Sequence, residues 1–243
     1  MTPETLYALV EGTWPPAEVA QVGPVTVRTG AGGGSRVSAA TVGGPVTEAE
    51  IAAAEAAMAA RGQPALFMIR QGDAALDAQL AARGYAVKDP VIGYAAPVAA
   101  LATERPPPVT TFEVWPPLAV QAEIWAAGGV GPARLAVMER TRGPRTSILG
   151  RTDDTPAGCA FVACHEGAAM VHAVEVLPRF RRRGLARHML RAAAFWAAGQ
   201  GAETLALVVT VANTGARGLY ASLGMEPVGE YHYRIKTDQT DDR

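Results

Sequence analysis

Along the chain, short apolar or alternating runs are separated by glycine, proline and acidic residues, the spacing of strands joined to helices by tight turns. Thr2 and Pro3 form an N-cap and first helical position that open a short helix. Val25-Thr26-Val27 and Val37-Ser38-Ala39 read as strands around the glycine run from Gly30 to Gly34. Thr47-x-x-Glu50 has capping-box spacing and precedes an alanine-rich helix to about Ala60. Leu66 to Arg70 reads as a strand. Asp73 caps a helix to Arg83, Gly84 ends it, and Tyr85 to Ala96 holds further strand.

Beyond Ala102-Thr103-Glu104-Arg105-Pro106-Pro107-Pro108, whose prolines stop any helix, a second series begins. Thr110 to Trp115 reads as a strand, followed by helical segments near 118–127 and 131–140. Thr146 to Leu149, Gly158 to Cys164 and Met170 to Val176 read as successive antiparallel strands. A helix from Gly184 to about Ala198, a strand from Leu205 to Thr210, a helix from Thr214 to Leu223 and a strand from Gly229 to Lys236 complete the chain. Leu66 to Tyr85 aligns without gaps on Ala206 to Met225, each being strand, cap, helix and Gly-x end, which suggests an internal repeat.

The 243 residues allow one large domain or two small ones. With 49% hydrophobic and 19% charged residues the chain is globular. A net charge of -1 argues against a general polyanion binder. Charge divides unevenly at the proline run. Residues 1–104 carry 6 basic and 10 acidic groups and residues 105–243 carry 16 and 13, so the second half is the better host for an anionic ligand. Two cysteines, Cys159 and Cys164, make neither a disulfide scaffold nor a metal cluster. The first residues lack a secretory leader pattern, and no run reaches the roughly 18 apolar residues of a membrane span. A cytoplasmic protein with no membrane partner is expected.

The most informative stretch is Val174-Glu175-Val176-Leu177-Pro178-Arg179-Phe180-Arg181-Arg182-Arg183-Gly184-Leu185-Ala186-Arg187. A strand ends at Pro178, and an arginine-rich turn enters a helix at Gly184. Helix N-termini leave four backbone N–H groups without intrahelical partners and carry positive potential. Gly184 and Ala186 keep bulk away from those amides, and a diphosphate is the natural guest. The arginines add charge and forked donors. The glycine run at Gly30 to Gly34 lacks the following Gly-Lys-Ser/Thr of a nucleotide loop, and a hairpin tip is the better reading.

Arg181-x-x-Gly184-x-Ala186 resembles the acetyl-CoA loop of the GCN5-related N-acetyltransferase (GNAT) superfamily. Val209-x-x-x-Asn213-x-x-Ala216-x-x-Leu219-Tyr220-x-x-x-Gly224-Met225 resembles the strand–helix motif that follows it there, with Met225 where phenylalanine is usual. The resemblance spans about residues 109–236. It implies an α/β (α+β) protein with the GNAT acyltransferase fold, a mixed and mostly antiparallel sheet flanked by helices. With the repeat, it implies tandem GNAT-like domains: residues 1–104 degenerate or accessory, residues 105–243 catalytic. In the first half Leu80 stands in the place of Tyr220 and Asp73 in that of Asn213, and no arginine-rich loop precedes them.

The resemblance also implies roles. Backbone groups of Val174, Glu175 and Val176 would meet the pantetheine arm and the thioester carbonyl. Arg181, Arg182, Arg183, Gly184, Leu185 and Ala186, extending to Arg187, would cradle the diphosphate. Asn213 would bond the cofactor near its thiol end, and Tyr220 would protonate the departing thiolate. For the general base, His172 has a spacing similar to the catalytic histidine of arylalkylamine N-acetyltransferases, and Glu175 is the other candidate. A structural role for either, with a water chain instead, stays open. The glutamate that ribosomal-protein N-terminal acetyltransferases carry five residues before the asparagine is Val208 here.

The function implied is acetyl transfer from acetyl-CoA, as cosubstrate and without a metal, to a primary amine on a small molecule or protein N-terminus. The expected assembly is a monomer or homodimer, with no nucleic-acid partner. The rival is a noncatalytic acyl-CoA sensor or scaffold.

Overall fold

The computed structural model describes residues 1–236. In chain order its first half holds α1 (Pro3–Thr13), β1 (Glu18–Val22), β2 (Val25–Thr29), α2 (Ser35–Ser38), β3 (Thr41–Val42), α3 (Glu48–Ala59), β4 (Leu66–Arg70), α4 (Ala74–Ala82), β5 (Tyr85–Pro97) and α5 (Val98–Leu101). The second half holds β6 (Thr111–Val114), α6 (Ala119–Ala127), α7 (Pro132–Arg140), β7 (Arg145–Thr152), β8 (Thr155–His165), β9 (Ala168–Val176), α8 (Leu185–Gly199), β10 (Thr204–Thr210), α9 (Thr214–Ser222) and β11 (Glu226–Lys236). The last residues of the second half, 237–243, lie outside the described residues.

Local signals account for most of these elements. Thr2 Oγ1 accepts from the Thr5 N–H, with Pro3 in the first turn of α1. Thr47 and Glu50 form the full capping box of α3: the Glu50 N–H donates to Thr47 Oγ1 and the Thr47 N–H to Glu50 Oε2. Two expectations differ. Val37-Ser38-Ala39 is not a strand. Gly34, at φ +95°, turns the chain into α2, Ser38 Oγ donates to the Gly34 carbonyl, and Val37 is buried. Asp73 does precede α4, but its carboxylate accepts from the Arg70 N–H rather than from a helix amide.

The described chain divides into two compact units that are not the two sequence halves. One comprises Met1–Pro15, Gly93–Val209 and Asn213–Val228. The other comprises Pro16–Ile92, Thr210–Ala212 and the chain from Gly229. The division therefore does not fall at the proline run. The reason is apolar burial: Leu6, Leu9 and Val10 of α1 pack with Ala95 of β5, Ala168 and Met170 of β9, and Ala206 of β10.

In the first unit the strands lie in the order β5, β10, β9, β8, β7, β6. β6, β7, β8 and β9 pair antiparallel in turn, while β9 and β10 are parallel. α8 presents Leu185, Met189, Ala193 and Ala197 at helical spacing as its buried stripe. In the second unit β11 pairs antiparallel with β4, from Tyr231 opposite Arg70 to Ile235 opposite Leu66. A separate antiparallel sheet runs β1, β2, β3. Its core joins Val25 and Val27 to Ile51 and Met58 of α3, Phe67 and Ile69 of β4, and Leu76 and Leu80 of α4.

The repeated stretches are structurally alike. α3, β4, α4 and β5 succeed one another as α8, β10, α9 and β11 do. Gly84 and Gly224, at φ +82° and +75°, end the corresponding helices. Among the described residues no helix is long and apolar enough to cross a membrane.

Candidate active site

The site begins where the parallel pairing of β9 and β10 stops. Their register runs only from Thr204 opposite Ala168 to Leu207 opposite Val171. Beyond that point β9 keeps β8 on one side, with Glu175 opposite Cys159 and Val176 opposite Gly158. The β8–β9 register shifts between Cys159 and Phe161, and Ala173 has φ +48°, the mark of a bulge. The Ala173 carbonyl accepts from Trp125 Nε1 of α6 at 2.7 Å. Past the bulge, the Leu177 N–H donates to the Ala157 carbonyl on the β8 side. Successive N–H groups of a strand point to opposite sides, so the Val176 N–H points away from β8, toward the side that β10 has left.

The turn that follows leads into the N-terminus of α8 through two left-handed residues. Residues Pro178–Phe180 form one short 3-10 turn, with Phe180 buried. Arg182 at φ +65° and Gly184 at φ +86° both take left-handed conformations. For Arg182 that costs on the order of 1–2 kcal/mol. Gly184 is then the N-cap residue of the 15-residue α8, and a Cβ added to it would meet only His188 Nε2, at 3.9 Å. The first amides of α8 are thus left uncovered by any side chain at the cap.

The opposite wall is α9. Asn213 Oδ1 accepts from the Ala216 N–H at 3.1 Å and caps that helix. Tyr220 is buried, its ring 5.8 Å from that of Tyr94. Burial raises its phenol to about 12. Gly215, Gly218 and Ser222 complete this wall, and Ser222 Oγ accepts from Arg187 of α8 at 2.7 Å. Between the end of β9, the turn and α9 lies a cavity of about 780 Å³. That is within the span of roughly 300–1,000 Å³ usual for ligand sites.

Residues 104–225 of this chain match the acetyltransferase (GNAT) family. The chain belongs to that family. It is 33% identical over 75 residues to an uncharacterized N-acetyltransferase, YobR, of Bacillus subtilis, a match covering 31% of this chain and 30% of that protein's length. Solved structures share the fold across nearly the whole chain. A GCN5-related N-acetyltransferase from Kribbella flavida aligns with a TM-score of 0.73 at 21% identity, covering 97% of this chain and 96% of that one. A tandem GNAT protein from the clavulanic acid biosynthesis pathway aligns with a TM-score of 0.62 at 15% identity, covering 98% and 89%.

In this GNAT protein the cavity gathers most of the residues singled out in the sequence. Val174, Glu175, Val176, Arg181, Arg182, Gly184, Leu185, Ala186, Arg187, Asn213 and Tyr220 all line it. Arg183 is not among its lining residues; its guanidinium pairs with Asp153 at 2.7 Å. His172 is not among them either. It is 3% exposed, stacks on Trp14 at 4.9 Å, and bonds Thr13 Oγ1 through Nε2 at 2.8 Å. Thr13 Oγ1 already donates to the Leu9 carbonyl, so it accepts from His172 and Nε2 carries the proton. Simple alternation would put His172 on the same face as Val174, but the bulge at Ala173 lies between them.

Phe180, Gly215, Gly218 and Ser222 also line the cavity, and sequence reasoning missed them. The signal was present in the glycines. A glycine inside a helix costs about 1 kcal/mol relative to alanine. Gly218 has nothing within 4 Å of an added Cβ, and Gly215 only Asn213 Oδ1 at 3.9 Å, so internal packing does not require either.

Proposed function

We propose that the protein transfers the acetyl group of acetyl-CoA to a primary amine by direct attack within a ternary complex. The observation that carries this reading is the convergence, in one cavity, of the end of β9 that β10 has left, the N-terminus of α8 and Tyr220. The cradle suits the cosubstrate: α8 offers uncovered amides and Arg182 for a diphosphate, and the glycine face of α9 leaves room for a chain laid against it.

Acetyl-CoA supplies an activated thioester carbonyl and a thiolate leaving group. The protein supplies the rest. The Val176 N–H, directed away from β8, donates to the carbonyl oxygen as negative charge builds there. The phenol of Tyr220, kept neutral by burial, donates toward the departing sulfur. The Glu175 carboxylate, on the β9 wall, accepts the proton of the attacking amine. Holding both reactants together removes any need for a covalent enzyme intermediate. The acceptor class includes small amines and protein N-termini.

The test is thiol release from acetyl-CoA against a panel of primary amines. Release that depends on both the amine and Tyr220 supports the reading. Acetyl-CoA binding without release for any amine would leave a noncatalytic acyl-CoA sensor.

A further inference from the structure

Glu175 is held from two sides by residues far apart in sequence. On one side Arg181 Nη2 donates to Glu175 Oε1 at 3.0 Å, while its Nε donates to the Val176 carbonyl at 2.8 Å. One planar guanidinium thus spans the backbone of β9 and the carboxylate beside it, a two-point clasp that fixes the side chain's direction. On the other side lies Gly128, the residue after the last turn of α6. A Cβ built on Gly128 would sit 2.3 Å from Glu175 Oε2, 2.4 Å from Cδ and 2.7 Å from Cγ. At such distances the Glu175 side chain must move to make room for a Cβ.

The backbone of Gly128 does not itself call for glycine. Its φ of -91° and ψ of 7° are open to any residue, and the left-handed step that ends α6 is taken by Gly129 at φ +81°. The hydrogen on Gly128 is therefore explained by the carboxylate it faces. α6 is tied to the same strand by the Trp125 Nε1 bond to the Ala173 carbonyl, so the position of Gly128 relative to Glu175 is set by structure and not by a loose loop. The side chain of Glu175 is 17% exposed and lines the cavity.

We infer that Gly128 and Arg181 are positioning residues, which together aim the Glu175 carboxylate at the attacking amine. This inference rests on the acetyl-transfer reading. Arg181, expected from sequence to serve the diphosphate, spends two of its donors on β9 and acts mainly through Glu175. The three atoms nearest a Cβ at Gly128 all belong to the Glu175 side chain, so a methyl there acts first on that carboxylate.

The experiment measures kcat by thiol release and acetyl-CoA affinity by calorimetry for wild type, Gly128→Ala, Arg181→Gln and Glu175→Gln, and for the first two changes combined with Glu175→Gln. A displacement of about 1 Å can cost up to about a hundredfold in rate, so kcat is expected to fall about tenfold or more in Gly128→Ala. Its acetyl-CoA affinity stays within about twofold of wild type, because a methyl at the end of α6 leaves the diphosphate amides of α8 unchanged. Arg181→Gln shows the same pattern, with a loss in kcat larger than its loss in affinity. In the Glu175→Gln background neither change lowers kcat further, the signature of residues acting through one group.

Losses that multiply fully onto that of Glu175→Gln would overturn the inference. So would a wild-type kcat in Gly128→Ala, or in Glu175→Gln while wild type turns over. Wild type that binds acetyl-CoA but releases no thiol with any amine would instead remove the acetyl-transfer reading, and this role with it. If Gly128→Ala does not fold, Arg181→Gln and its double variant decide between the same outcomes.

Discussion

Replacing Tyr220, a residue of the cavity wall, with phenylalanine removes one hydroxyl, and the structure sets how much that should cost. Full general-acid catalysis contributes about 10²–10⁴-fold. Burial has raised this phenol to about 12. A thiol in water titrates near about 8.5, below a tyrosine phenol, so passing a proton outright from the phenol to a thiolate carries an uphill penalty. A hydrogen bond donated to the charge growing on sulfur is not subject to that penalty, and a bond to a charged group contributes about 1.5–3 kcal/mol. That corresponds to roughly 10–150-fold in rate. Hydrogen bonding therefore outweighs complete transfer, and Tyr220→Phe should lower kcat by about 10–150-fold and not by 10⁴. The assay is thiol release at saturating acetyl-CoA and amine, beside calorimetric affinity for acetyl-CoA. Affinity should stay within about threefold, since the diphosphate cradle is unchanged. A kcat within twofold of wild type, or a loss carried wholly by weaker acetyl-CoA binding, would rule out this role for the phenol.

Other consequences are read from stability or thiol reactivity instead of turnover. Asn213→Ala removes the cap of α9 and should cost about 1 kcal/mol, a fall in Tm of about 2–4 °C by calorimetry. Hydrogen bonding from Arg234, then from His232, holds the Asp77 carboxyl below the usual range. Its stabilising effect is present above the unfolded value near about 3.9 and is lost as pH falls through the folded value. In urea melts across about pH 3–6, Asp77→Asn should show a shallower acid loss of stability than wild type. Burial pushes the Cys159 thiol well up and the Cys164 thiol to about 11. At pH 8 neither should react quickly with a disulfide reagent in the folded protein, and both should once urea unfolds it.

Much of the fold and the site is legible from local sequence because its causes are local. The capping box at Thr47 and Glu50, the strand from Leu66 to Arg70, the glycine cap at Gly184 and the asparagine cap at Asn213 each depend on neighbours within a few residues. What is not legible depends on pairing across the chain. The bulge at Ala173 arises from register with β8 and from the Trp125 N–H, 48 positions away, and no spacing rule around His172 contains it. Arg183 looks like its neighbours in sequence, yet Asp153 claims it. Gly128 reads as an ordinary helix end until Glu175 is seen against it. The proline run looks like a boundary because composition changes there, whereas the compact units follow the apolar face of α1, which only folding places beside β9.

Everything proposed for this protein depends on acetyl-CoA binding in the cavity between β9, the turn at Gly184 and α9. Calorimetric titration of the purified protein with acetyl-CoA reads that out, with Gly184→Glu as control and circular dichroism to verify folding. Wild type should show saturable one-to-one binding that is lost in the folded variant. A folded wild type that shows no binding, or a Gly184→Glu variant that binds as tightly, would contradict that assignment.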